Sequence, residues 1–121
     1  MTKSILIILF LFIGFGVKSQ TLDSIPAKES ANYYDKTIKV YGVVSGGRWL
    51  EKSFITLLNV DGNYPNHALT VMIKDIDRKK FSYAPEVFLK GKKILISGTV
   101  IKYKDAPEII VINPDQIKII D

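Results

Sequence analysis

The chain is 121 residues long, 47% hydrophobic, and carries a formal charge of +5. That length supports one small core but not two folded domains, and the apolar content argues against disorder. With no cysteine and one histidine, disulfides, thiolate chemistry, cysteine-bound zinc and a protein-only transition-metal site fall away, and no cofactor is expected.

Residues 1–19 have the layout of a secretory signal peptide. Lys3 supplies the positive start, residues 5–15 form an apolar run, and Val17 and Ser19 are small residues ahead of a cut before Gln20. The run is short beside the roughly 20 residues a spanning helix needs. The expected mature chain is therefore periplasmic or secreted, with no stable membrane span after cleavage. Lys3 and Lys18 leave with the signal segment and no acid does, so the remainder carries +3. That charge permits an anionic partner without demanding one.

Residues 20–35 form an N-terminal segment ahead of the domain at 36–121. A short helix is expected over 24–34: Ser24 caps it, Pro26 suits its first turn, and Ala27, Ala31 and Tyr34 share a face. TIKVYGVV at 37–44 alternates and is β-branched, so it is the first strand, broken or bulged at Gly46 and Gly47. Residues 54–60 are the second strand, 61–66 a dense turn, and 69–74 the third, with Leu69, Val71 and Ile73 on one face.

Over 77–89 the period of two disappears, and Pro85 forbids one continuous regular helix. A turn around 78–81 and a short helix from Pro85 are expected, with Phe81, Val87 and Phe88 plugging the core. The fourth strand follows at 93–101, a tip at 102–107, and the fifth strand at 108–112, which 117–120 continues after Asn113 and Pro114.

Three strands, a helical plug and two further strands form the order of the OB-fold, a small Greek-key barrel. The fold class is thus all-β with small helical content. A faint internal echo agrees: KTIKVYGVV at 36–44 aligns with KKILISGTV at 92–100, placing Gly42 and Gly98 at matching positions. Strand glycines mark the sharp bends that a small barrel needs.

On LNVDGNYP at 58–65 with the strand at 69–74, KGKKILISGTV at 90–100, and YKDAPEIIV at 103–111 with PDQI at 114–117, the chain resembles a group of small bacterial OB-fold domains. That group is the nucleic-acid-binding-like, tRNA- and helicase-type one. It departs at Asp105 and Ala106, where a glycine is common in the group. A second resemblance, by signal segment, size and strand order, is to the periplasmic OB-fold family of small stress-related proteins, whose acidic-aromatic strand motifs are missing here.

OB-folds bind ligands across their second and third strands, between the first-to-second and fourth-to-fifth loops. The first of those loops would carry Arg48, Trp49 and Lys52, and the other Lys102, Tyr103 and Lys104. Cations that follow phosphates beside rings that stack on bases are what single-stranded nucleic acid requires. The competing reading has Trp49 and Tyr103 covering barrel ends and the lysines solvated. Tyr64 belongs to the turn between the second and third strands. Lys74 shares an outward face with Thr70 and Met72, where it can meet an anion.

His67 reads as a surface loop residue, and Arg78, Lys79, Lys80, Lys90, Lys92 and Lys93 as solubilising charge. An OB barrel of the staphylococcal nuclease type cleaves phosphodiesters with a metal, acids and arginines. Here the only arginines are Arg48 and Arg78, and the closest acid pair is Asp75 and Asp77. One such pair makes a weak metal site. The expectation is a non-catalytic, exported binding module with no metal, taking single-stranded nucleic acid or an oligonucleotide. The alternative is an envelope module that takes a protein, glycan or small molecule on the same face.

Overall fold

The computed structural model describes residues 24–120; the predicted signal segment lies outside them. The elements are β1 (Ile25–Pro26), a 3-10 turn (Ala27–Asn32), β2 (Thr37–Leu50), a 3-10 turn (Glu51–Ser53), β3 (Ile55–Val60), β4 (Leu69–Lys74), α1 (Asp75–Arg78), α2 (Pro85–Phe88), β5 (Lys93–Tyr103), β6 (Ala106–Ile110), a 3-10 turn (Pro114–Gln116) and β7 (Ile117–Ile120).

Strands β2, β3, β4, β6 and β5 pair in that order, and β5 pairs back onto β2 to close the barrel. This is the five-stranded OB-type barrel, all-β with short helical pieces. Alternation along each strand fills it: Val40, Val44, Leu58, Val71, Ile96, Val100 and Ile109 are fully buried. Each contributes about 1.5–3 kcal/mol of apolar burial.

The echo between 36–44 and 92–100 is the closing ladder itself. Val40 faces Ile96, and the two glycines sit symmetrically about that pair, Gly42 opposite Ile94 and Gly98 opposite Ile38. Both are needed for close approach. A Cβ on Gly42 would come within 2.6 Å of Val60 Cγ1, and one on Gly98 within 2.7 Å of Ile109 Cγ2.

Six expectations are corrected. The N-terminal helix is a 3-10 turn whose buried residues, Ala27 and Ser30, are three apart, not the 27, 31, 34 spacing of an α-helix. Pro26 is extended and adds to β1, which pairs in parallel with Val40 and Tyr41. The first strand does not end at 44. A bulge between Val44 and Gly46 lets β2 run on to Leu50, because Gly47 has no Cβ to strike the Leu57 carbonyl 2.5 Å away.

In the plug, Phe81, Pro85 and Leu89 are buried, whereas Val87 and Phe88 are 70% and 43% exposed. The one-turn α2 presents only Pro85 inward. The fourth strand reaches Tyr103, and the fifth runs from Ala106 to Ile110. Finally, residues 117–120 do not continue β6. Pro114 ends the extended run, and the Gln116 Oε1 accepts the N–H groups of Ile112 and Asn113 at 2.8 and 3.1 Å. The chain then turns back as β7, antiparallel to β5.

Candidate ligand-binding face

The outward side of β3, β4 and β6 is a half-buried sheet face whose rows follow from the register. Asn59 faces Thr70, which lies beside Glu108, which faces Ile101. In the next row Arg48 faces Leu57, then come Met72 and Ile110. Two shallow clefts open on this face. One, of about 240 Å³, is lined by Arg48, Leu57, Asn59 and Tyr64. The other, of about 420 Å³, is lined by Gly98, Thr99, Ile101, Ile110, Ile112 and Gln116.

The predicted site residues divide. Arg48 and Tyr64 meet in the first cleft, with Tyr64 71% exposed. Lys74 is exposed at the end of β4, opposite Ile55. Arg48 and Trp49 sit on a strand and not in a loop, so they point to opposite sides. Trp49 donates from Nε1 to Asp75 Oδ1 at 3.0 Å, and the Arg78 guanidinium stacks on its ring. It therefore joins the barrel to the helical segment and leaves the predicted cluster.

Lys52 is exposed in the 3-10 turn between β2 and β3. Tyr103 and Lys104 are exposed at the β5–β6 tip, with the Lys104 ammonium 5.5 Å from the Tyr103 ring centre. Lys102 lies one residue from Tyr103 on the other side of β5, over the Tyr34 ring at 5.2 Å. It is the second residue withdrawn from the predicted cluster. The β5–β6 tip and the β2–β3 turn stand at opposite ends of the face, because Ala106 precedes the Glu108 row while Ile55 pairs with Lys74 beyond the Met72 row.

Both ends hold left-handed backbone at non-glycine residues: Phe54 at φ 59°, Lys104 at 50° and Asp105 at 61°. Such conformations cost about 1–2 kcal/mol per residue and concentrate in ligand-contacting segments. At Lys104 and Asp105 the tip thus takes a two-residue turn without the glycine that such turns favour.

Glu108 is the feature that sequence reasoning missed. It is 7% exposed in the middle of the face, and among the described residues it takes part in no ion pair. Burial pushes its carboxyl above the usual carboxylate range. His67 stands at the β3–β4 end. Its Nε2 is 2.6 Å from Thr70 Oγ1, and burial lowers its pKa, favouring neutral imidazole. The acid pair considered for a metal is otherwise engaged: Asp75 accepts from Trp49, and Asp77 pairs with Lys80 at 2.9 Å.

No family model matches the chain, and no curated protein matches it. Among solved structures 28 chains match. One is described as an aspartyl-tRNA synthetase from Leishmania major Friedlin. It is 16% identical with a TM-score of 0.50, over 79% of this chain and 20% of that one. Another is OBody AM1L10 bound to hen egg-white lysozyme, 17% identical with a TM-score of 0.55, over 85% of this chain and 98% of that one. What is shared at such identities is the fold. This chain spans about a fifth of the synthetase chain.

Proposed function

We propose that this protein is a non-catalytic, exported OB-type module that binds single-stranded nucleic acid across the outward face of β3 and β4. The observation that carries the reading is the cleft shared by Arg48 and Tyr64. A guanidinium there meets a phosphate, the exposed ring stacks on a base, and the Asn59 amide reaches a base edge. Stacking of this kind is worth about 1–3 kcal/mol per base. Tyr103 and Lys104 extend the contact at the far end. The shared fold with a tRNA synthetase chain supports the reading, and the signal-like segment 1–19 supports export.

A second reading has its own observation. The wider cleft is lined by Ile101, Ile110 and Ile112, with Glu108 beside it. An apolar strip with a buried acid suits a polypeptide, glycan or small molecule better than phosphate. The lysozyme-bound OBody supports that alternative.

Titration of a labelled single-stranded oligonucleotide by fluorescence anisotropy at two salt concentrations separates the two. The nucleic-acid reading expects binding that weakens steeply with salt. No binding even at low salt overturns it and leaves the envelope interaction module.

A further inference from the structure

We propose that the opposite side of the barrel, formed by β2, β5 and β7, is a docking surface for an anionic lipid bilayer. On the outward side of these strands Tyr41, Leu95 and Lys118 stand side by side. The neighbouring row is Val43, Lys93 and Ile120, and Lys39 lies opposite Ser97 at the other end. The outward positions of this sheet hold three lysines and no acid among the described residues, and none of the three is in an ion pair there. Asp61 accepts the Val43 backbone N–H at 2.8 Å.

At the start of β5, next to Lys93 in the chain, Lys92 lies with its ammonium 4.4 Å from the Phe88 ring centre, and Val87 is 70% exposed. Uncompensated cations alternate with exposed side chains that carry no polar group: Val43 is 41% exposed and Phe88 43%. Lysines that reach anionic headgroups while aliphatic groups enter the acyl boundary are the chemistry of peripheral membrane contact.

Two features favour a bilayer over a nucleic-acid strand on this side. The sheet rows present one aromatic ring among the described residues, the half-buried Tyr41, set against aliphatic Leu95 and Val43, so this side offers aliphatic groups and no row of rings for successive bases. The three sheet cations are also all lysines, compact point charges that suit a diffuse anionic surface and lack the guanidinium fork that grips a single phosphate.

The test is co-sedimentation of residues 20–121 with vesicles of phosphatidylcholine alone and of phosphatidylcholine mixed with phosphatidylglycerol. The expected result is binding to the mixed vesicles only. The triple variant K39Q/K93Q/K118Q loses roughly a hundredfold in affinity, since each lysine near an anionic surface is worth about fivefold. The variant K39R/K93R/K118R retains binding, which separates lost charge from lost fold. Arg48→Ala leaves vesicle binding unchanged, which makes the result independent of the oligonucleotide face. The proposal is overturned if the protein ignores mixed vesicles, if the glutamine variant binds them as well as the parent does, or if that variant loses oligonucleotide affinity instead.

Discussion

The Arg78 guanidinium lies 4.0 Å from the centre of the Trp49 ring. The same guanidinium is bridged to Glu86 at 2.9 Å, and the indole N–H is bonded to Asp75. One strand residue thus ties β2 to α1 and, through Arg78, to α2. A stack of this kind is worth about 0.5–1 kcal/mol and the hydrogen bond about 1 kcal/mol.

Trp49→Phe keeps the stack and loses the bond, so it should cost about 1 kcal/mol of stability. Trp49→Ala loses both together with apolar contact and should cost about 2–3 kcal/mol. Arg48→Ala, one residue away on the other side, should leave stability within about 0.5 kcal/mol and weaken oligonucleotide binding. Denaturant unfolding and anisotropy on the three variants check the split. An Arg48→Ala variant that unfolds early and binds normally would reverse the assignment of the two faces.

Glu108 makes stability depend on pH in a defined direction. Its carboxyl titrates near 4.5 when exposed and higher when folded. The folded chain therefore holds this proton to higher pH than the unfolded chain, and stability falls as pH rises from the ordinary value to the raised one. The loss persists at neutral pH. Glu108→Gln should melt higher than the parent there, with the gap closing as pH drops below the ordinary carboxylate value. It should also tighten oligonucleotide binding at neutral pH, since a negative charge leaves the face. Equal melting temperatures at neutral pH would contradict this account of Glu108.

Gly98 is one of the two points of closest approach on the closing ladder. Gly98→Ala places a methyl group 2.7 Å from Ile109 Cγ2, and Gly98→Val crowds the same bend further. Overpacking of this kind costs about 1–3 kcal/mol, with valine at the upper end. Thermal unfolding reads the order parent, alanine, valine; a valine variant as stable as the parent would mean that β5 passes Ile109 at a greater distance.

The β5–β6 tip can be relaxed without touching the barrel. Lys104 and Asp105 are both left-handed between the paired residues Tyr103 and Ala106. Asp105→Gly removes the clash of Cβ with backbone at that φ and adds some chain entropy to the unfolded state. The net expectation is a gain of about 0.5–1 kcal/mol. A drop in melting temperature would show that the Asp105 side chain holds the tip.

The barrel was legible because alternation survives along β2, β3, β4 and most of β5 and because the plug interrupts it where the OB order requires. Gly42 and Gly98 were legible as bends because both break an otherwise apolar run. The site was only half legible. Placing Arg48 and Trp49 in a loop made them one cluster, whereas an extended strand sends neighbours to opposite faces, and only the bulge beside Gly46 reveals that the strand continues. Lys102 was grouped with Tyr103 for the same reason, and Tyr34 draws it away through a contact that sequence spacing does not encode. Glu108 carried a usable signal. At a period of two it shares a side with Ile110 and Ile112, opposite the buried Ile109 and Val111. Of the far-side lysines the sequence singles out only Lys93, as solubilising charge, because Lys39, Lys93 and Lys118 come together only through the β2–β5–β7 pairing.

The central claim is that ligand binds on the β3–β4 face at the Arg48–Tyr64 cleft. The most direct test is amide chemical-shift mapping of the labelled protein as an unlabelled single-stranded oligonucleotide is added. The account predicts shifts at Arg48, Leu57, Asn59, Tyr64 and Thr70, with Lys39, Tyr41 and Lys118 unmoved. Shifts confined to the latter group, or none at all at low salt, would contradict it.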